Sequence, residues 1–122
     1  MGDFMSYDKL DVWIESRKLT NEVYSLTKAF PKEEVYGLTS QMRRSAVSVP
    51  SNIAEGVGRN HTKDSLQFFY ISRGSLFELE TQSYVAFDQN YIEESDLKKT
   101  LELITSCKKL INGFINYHKS KL

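Results

Sequence analysis

Apolar side chains recur along this chain at intervals of three and four residues, the spacing that places them on one face of an α-helix. The first such seam has a spacing of 4-3-4-3-4 and contains Val12, Ser16, Leu19, Val23, Leu26 and Phe30. Phe30 precedes Pro31, and a residue before proline is pushed out of the helical region. The pattern predicts a first helix over roughly residues 9–30.

Three further segments show the same periodicity and are joined by short connections. They predict helices over roughly residues 33–57, 62–88 and 94–118, with Gly37 as a candidate break near the start of the second. The four helices predict an all-α fold, an antiparallel up-down-up-down four-helix bundle over residues 9–118, with residues 1–8 as an N-terminal extension. Pro50 cannot donate to the Ala46 carbonyl, so the second helix is predicted to kink there.

The second helix carries a polar stripe along one face. Its members follow spacings of 3, 4, 4, 3 and 4, and are Gln41, Arg44, Ser48, Asn52, Glu55 and Arg59. At 100° per residue they lie within an arc of about 80°. An apolar stripe runs beside them, and the remaining face carries mostly small residues rather than the Lys and Glu of a solvated face. We therefore expect this helix to be enclosed on nearly every side, which favours assembly over chemistry.

The third helix carries charges that match this stripe. Arg73 and Glu80 lie within its aromatic core face, and Glu78 lies nearby. Because a buried charge without a partner is costly, we expect Arg44 to pair with Glu80, and Arg73 to pair with Glu55 or Glu78. The alternative is a groove or ring opening in which Arg44, Arg59 and Asn52 bind an anion such as RNA phosphate.

Gly74 stands in the middle of the third helix. Glycine there costs about 1 kcal/mol relative to alanine, and a close backbone approach is the usual reason. A close approach at Gly74 would give the third helix a second buried face, as we also expect for the second helix.

The composition of the chain limits the classes of function that it can have. The 122 residues suit one domain, and the 16 basic and 16 acidic residues cancel, so overall charge gives nucleic-acid binding no support. A local basic patch is still compatible with that balance. The single cysteine, Cys107, excludes an intrachain disulfide and favours a reducing compartment. No apolar run approaches the ~20 residues that a membrane span needs, so a cytoplasmic protein without membrane contact is expected.

Catalytic and metal-binding templates do not fit the sequence. His61, His118 and Cys107 lack zinc-site spacing, and no Glu-x-x-His pair offers a di-iron site. Glu78 and Glu80 are two residues apart and point about 200° away from each other on a helix, so they are not a carboxylate pair. We predict no catalytic residue, no metal ligand and no cofactor.

Three motifs carry a resemblance to a known family. They are FPxxExYGLTxQxRR at residues 30–44, SxPSNIAEGxGR at 48–59 and RGSLxELE at 73–80. With them the chain resembles the 23S rRNA-intervening-sequence proteins, small bacterial four-helix bundles. The resemblance implies a ring-like homopentamer with no established activity. A related group, the accessory variability determinants of diversity-generating retroelements, is similar in fold and acts as a pentameric nucleic-acid-binding partner of a reverse transcriptase.

These observations predict a non-enzymatic, self-assembling scaffold or adaptor whose main partner is itself. Its second and third helices would form the subunit contacts, while the fourth helix and much of the first would face water. Two alternatives remain: RNA binding through a basic face of a homopentameric ring, and an enzyme with an unrecognised pocket.

Overall fold

The computed structural model describes residues 6–122 and contains four long helices. The α-helices are α1 (Asp11–Thr27), α2 (Leu38–Val57), α3 (Thr62–Asp88) and α4 (Glu94–Lys119), with short 3-10 helices at Tyr7–Lys9 and Lys32–Glu34. No strand occurs between residues 6 and 122. The predicted all-α four-helix bundle is confirmed. Of the predicted N-terminal extension, residues 1–5 lie outside the described part of the chain.

The helices form a closed ring of neighbours, because each contacts the next in sequence and α1 also contacts α4. Thr20 lies beside Ala46 and Thr27 beside Arg43, so residue numbers rise along α1 as they fall along α2. This order of contacts is the one that antiparallel neighbours make. Helix α2 continues through Pro50, and the kink there stays a prediction.

The core draws side chains from all four helices. The predicted α1 seam supplies Leu19 and Val23, which have no exposed surface, and Phe69 of α3 is the largest side chain that is fully buried. Fully buried Ile53 and Ile111 extend the core to α2 and α4. Burial of a side chain of this size contributes about 1.5–3 kcal/mol to folding stability. These positions therefore fix how the four helices align along one another.

Two helix ends differ from the prediction. Helix α1 ends at Thr27 rather than near residue 30, and α2 begins at Leu38 rather than near residue 33. Gly37 has φ −115° and ψ −118°, which is outside the helical region, so the residues before it form a separate turn. The Glu34 carboxylate Oε1 accepts the Leu38 N–H at 2.9 Å and thereby caps α2.

Glu34 also connects the two loops at this end of the bundle. Its Oε2 accepts the Tyr91 hydroxyl at 2.8 Å, and the Tyr91 ring packs on Phe30 with centroids 5.2 Å apart. The Leu38 N–H, and after it the Tyr91 hydroxyl, hold the pKa of Glu34 below its ordinary value. The same hydrogen bond raises the pKa of Tyr91. A Cβ on Gly37 would lie 2.6 Å from Glu34 Oε1, so glycine leaves room for this cap.

Candidate functional site

The polar stripe of α2 faces α3 across an open groove of about 460 Å³, which we call the α2–α3 groove. All of its lining side chains are polar: Gln41, Arg44, Ser45 and Ser48 from α2, and Ser75, Glu78 and Gln82 from α3. The stripe is therefore not enclosed in the protomer. Gln41 and Arg44 are exposed and Ser48 is half-buried.

Hydroxyl groups form the floor of the groove. Ser75 Oγ donates to Ser48 Oγ at 2.8 Å, and Asn52 Nδ2 donates to the same oxygen at 2.9 Å and to the Ser48 carbonyl at 2.9 Å. Ser48 Oγ accepts two hydrogen bonds, which leaves its hydroxyl proton available for donation to another group. Asn52 is committed to α2 and does not reach into the groove as a ligand-binding group.

Arg44 and Glu78 place opposite charges on the walls of the groove. Both side chains are exposed and line the same space. Neither belongs to an ion pair of 4.0 Å or less within residues 6–122. The groove therefore presents a guanidinium and a carboxylate that are both available to a ligand.

The predicted pair of Arg44 with Glu80 is wrong. Glu80 accepts from Lys108 Nζ of α4 at 2.7 Å. Ser75 and Arg73 are two residues apart on α3, so their side chains point about 200° from each other. The side of α3 that carries Arg73 and Glu80 therefore meets α4, whereas the side that carries Ser75 meets α2.

The predicted pairs of Arg73 with Glu55 or Glu78 are also wrong. Arg73 Nη1 donates to Asn112 Oδ1 of α4 at 3.2 Å, and its guanidinium lies 5.3 Å from the Tyr70 ring centroid. Glu55 instead pairs with Arg59, four residues later and just past the end of α2, at 2.7 Å. These contacts run within α2 or from α3 to α4, so none of them crosses the α2–α3 groove.

The predicted anion site is only partly assembled. Arg59 lies at the carboxyl end of α2, where it stacks 4.5 Å from the Phe68 ring centroid and is neutralised by Glu55. Arg44 lies about four turns away, since the two residues are 15 positions apart. The structure therefore does not bring Arg44 and Arg59 together.

Sequence reasoning named Glu78 but missed Ser75 and Gln82 on the α3 side of the groove. Ser75, Glu78 and Gln82 follow spacings of 3 and 4, the same rhythm as the α2 stripe, and this match could have identified the opposing wall. Gln82 also contributes a buried Oε1 that has no hydrogen-bond partner among the described residues.

Basic side chains collect on the other flank of α2, between α1 and α2. Two adjoining depressions of about 600 and 510 Å³ share Val35, Thr39 and Arg43. Their cationic lining residues form what we call the α1–α2 basic patch: Lys28, Lys32, Arg43 and Arg44. Within the described part of the chain, no carboxylate lines either depression. Arg43 is held in place by its Nε–H, which donates to Thr27 Oγ1 at 2.8 Å.

The exposed side of α3 around Gly74 carries four large apolar side chains beside the polar Glu78 and Thr81. Ile71 is 52%, Phe77 53%, Tyr84 48% and Val85 40% exposed, and we call these side chains with Gly74 the outer face of α3. A Cβ on Gly74 would meet no atom within 4 Å, so the expected close approach at Gly74 is not made inside the described protomer.

The described residues offer little conventional catalytic chemistry. Within residues 6–122, no three His, Cys, Asp or Glu side chains are grouped so that they could hold a metal ion. Burial, and then the charge of Glu15, raise the pKa of the Cys107 thiol to about 12, so it is not a thiolate near neutral pH. None of the helices in that range has the length and hydropathy needed to cross a membrane.

Comparison with known proteins places this bundle in a family. No match was found among the curated proteins. A Bacteroides thetaiotaomicron protein of unknown function from the S23 ribosomal protein family has a similar structure, with a TM-score of 0.79. The match covers 85% of this chain and 97% of that one at 20% identity, and shows a common fold. The sequence model described as 23S rRNA-intervening sequence protein matches residues 8–113. The chain therefore belongs to the 23S rRNA-intervening sequence protein family.

Proposed function

We propose that this protein is a cytoplasmic, non-enzymatic scaffold or adaptor that assembles with copies of itself into a homopentameric ring. The observation that carries the proposal is the outer face of α3, where four large apolar side chains are each exposed to 40% or more. Apolar surface gains about 25 cal/mol per Å² when it leaves water. Large apolar side chains exposed on one side of a helix are candidates for burial at an interface in soluble proteins.

Gly74 supports the same proposal. A mid-helix glycine lowers helix stability by about 1 kcal/mol relative to alanine, and no atom of the described residues would lie within 4 Å of a Cβ on Gly74. A second copy whose backbone packs closely against α3 at this point would explain why this position is occupied by glycine, which has no Cβ. The neighbouring Ile71 and Phe77 would then be buried on association.

The family supports a role without catalysis. Neither the family description nor the description of the Bacteroides protein names a reaction. Two groups that could act as nucleophile or base are also poorly placed, because Cys107 is buried and His118 Nδ1 is bonded to the Phe114 carbonyl at 2.9 Å.

Sedimentation velocity at micromolar concentration tests self-assembly. A pentamer of the 14.1 kDa chain has a mass of about 70 kDa. Ile71→Asp on the outer face of α3 is expected to shift the protein towards monomer, because it places a charge in the contact. Tyr117→Asp is the matched control, since Tyr117 is 57% exposed on α4. A wild-type protein that sediments as a monomer, or Ile71→Asp that assembles normally, would refute the proposal.

A second candidate function is nucleic-acid binding through the α1–α2 basic patch. The chain has no net charge, yet four cations line these depressions without a carboxylate. Lys and Arg side chains grouped in this way suit phosphate oxygens.

Fluorescence anisotropy with single-stranded RNA and DNA tests this second candidate. The affinity should fall steeply as the salt concentration rises. The double variant Lys28→Gln with Lys32→Gln should lower the slope of log affinity against log salt concentration by about one for each phosphate contact that is lost. Lys119→Gln with Lys121→Gln removes the same charge from the end of the chain and serves as control. Absence of any anisotropy change at low salt would exclude this function.

A further inference from the structure

The α2–α3 groove contains an arginine and a glutamate that line one space without pairing with each other. Arg44 and Glu78 are both exposed, and both lie on the walls of the groove of about 460 Å³. A ligand that carries an anionic and a cationic group could bind both residues at once. We propose that this groove binds a free α-amino acid, whose carboxylate lies on Arg44 and whose ammonium lies on Glu78.

The donors beside Arg44 complete a carboxylate site. A guanidinium presents N–H groups in a planar fork that matches a carboxylate. The Ser48 hydroxyl accepts from Ser75 and Asn52, so its proton is free to donate to the second carboxylate oxygen. Gln41, one turn before Arg44 on the same wall, adds an amide donor. A carboxylate bound here receives hydrogen bonds from the side chains of α2 alone.

The opposite wall suits the ammonium group. Among residues 6–122, Glu78 is the only acidic residue that lines the groove, and its carboxylate is an acceptor for N–H groups. Ser75 Oγ uses its proton on Ser48 and keeps a lone pair for another donor. The anionic acceptor of the groove therefore lies on α3 and its cationic donor lies on α2. This division fixes the orientation of a zwitterion.

The remaining lining selects a polar, uncharged amino-acid side chain. It consists of hydroxyl and amide groups, and no apolar side chain contributes to it. Gln82 Oε1 is buried without a hydrogen-bond partner among the described residues, and the Gln82 side chain lines the groove. The volume lies within the range of about 300–1,000 Å³ that small-molecule sites occupy. Serine, asparagine and glutamine fit this description.

Glu78 lies one turn from Gly74 on the exposed side of α3, so sedimentation of the same sample reports assembly separately from the binding that this proposal predicts. Isothermal titration calorimetry with the full chain tests this binding, using L-serine, L-asparagine and L-glutamine separately. One of them should bind saturably with one site per chain. Acetylation of its amine or amidation of its carboxylate should each weaken binding at least about tenfold, because each removes one charge-assisted contact.

Variants assign the two contacts to residues. Arg44→Gln and Glu78→Gln should each weaken binding at least about tenfold. Arg59→Gln and Glu55→Gln are the matched controls, because that pair lies on α2 outside the groove and should leave binding unchanged. Circular dichroism and sedimentation of every variant separate loss of binding from loss of fold or assembly.

Three results would overturn the proposal. The first is no saturable heat with any of these amino acids at concentrations up to about 10 mM. The second is binding that Arg44→Gln and Glu78→Gln leave unchanged. The third is equal binding of the N-acetylated form, which would make the groove a simple anion site.

Discussion

Thr20 of α1 donates its hydroxyl to the carbonyl oxygen of Ala46 in α2 at 3.0 Å. Ala46 is the residue whose carbonyl Pro50 leaves without a helical partner, since proline has no N–H. The Thr20 hydroxyl also reaches the Ser16 carbonyl at 2.9 Å, so its one proton is shared between two acceptors. A side chain of α1 thus compensates for the proline inside α2.

Removal of the Thr20 hydroxyl should therefore destabilise the bundle. Thr20→Val keeps the shape and leaves the buried Ala46 carbonyl without a donor, which should lower the free energy of unfolding by about 1–2 kcal/mol. Urea unfolding measures the change. In a Pro50→Ala background the alanine N–H serves the same carbonyl, so Thr20→Val should cost less than about 0.5 kcal/mol. Equal costs in both backgrounds would mean that the hydroxyl does not compensate for Pro50.

Gly56 marks a close contact between α2 and α3. An added Cβ would lie 2.4 Å from Phe69 Cε1 and 3.0 Å from the Ser65 carbonyl oxygen. Phe69 is fully buried and cannot move aside freely, so Gly56→Ala should destabilise the protein by about 1–3 kcal/mol.

Gly113 of α4 provides the control for that substitution. An added Cβ there meets no atom within 4 Å, so Gly113→Ala should raise the unfolding free energy by up to about 1 kcal/mol through helix propensity alone. Denaturant midpoints of both variants check the two signs. A Gly56→Ala protein as stable as wild type would show that the helices can separate at this point without cost.

Glu80 should contribute modestly, since its partner is a lysine rather than a buried arginine. The Lys108 side chain retains 19% exposure and its Nζ lies 4.1 Å from the Phe77 ring centroid, so it stays solvated and stacked when the carboxylate is removed. Glu80→Ala should therefore cost about 1 kcal/mol by denaturant unfolding. A double-mutant cycle with Lys108→Met isolates the pair. A loss above about 3 kcal/mol would show that Lys108 is left as a buried unpaired charge.

Glu34 makes stability depend on pH in the acid range. Its hydrogen bonds from Leu38 and Tyr91 lower its pKa in the folded state. The stabilisation is fully present above the unfolded-state pKa of about 4.3 and is lost as the pH falls through the folded-state pKa. Urea titrations from pH 7 to pH 3 should show wild type losing more stability than Glu34→Gln. Parallel acid profiles for the two proteins would contradict this assignment.

Cys107 should be unreactive while the protein is folded. It is only 1% exposed, and burial raises the pKa of its thiol to about 12. Because the thiolate is the reactive species, labelling by Ellman's reagent at pH 8 should be slower in the native protein by at least about 100-fold than in denaturant. Fast labelling of the folded protein would show that α4 opens readily.

Helix content and core positions follow from the sequence because they rest on local periodicity. Leu19 and Val23 lie on the predicted α1 seam and are fully buried, as expected of any amphipathic helix in a bundle. The start of α2 was less predictable, because the Glu34 cap depends on Gly37 and on Tyr91, which is 57 positions away in sequence.

The partners of the charged residues were decided by the tertiary structure. The sequence alone placed Arg44, Arg73 and Glu80 on helices and indicated that charges would have to be matched. A long side chain at the edge of a helix can reach either neighbour, and the rotation of α3 in the bundle turned Arg73 and Glu80 towards α4. Arg44 consequently faces Glu78 across an open groove rather than a buried partner.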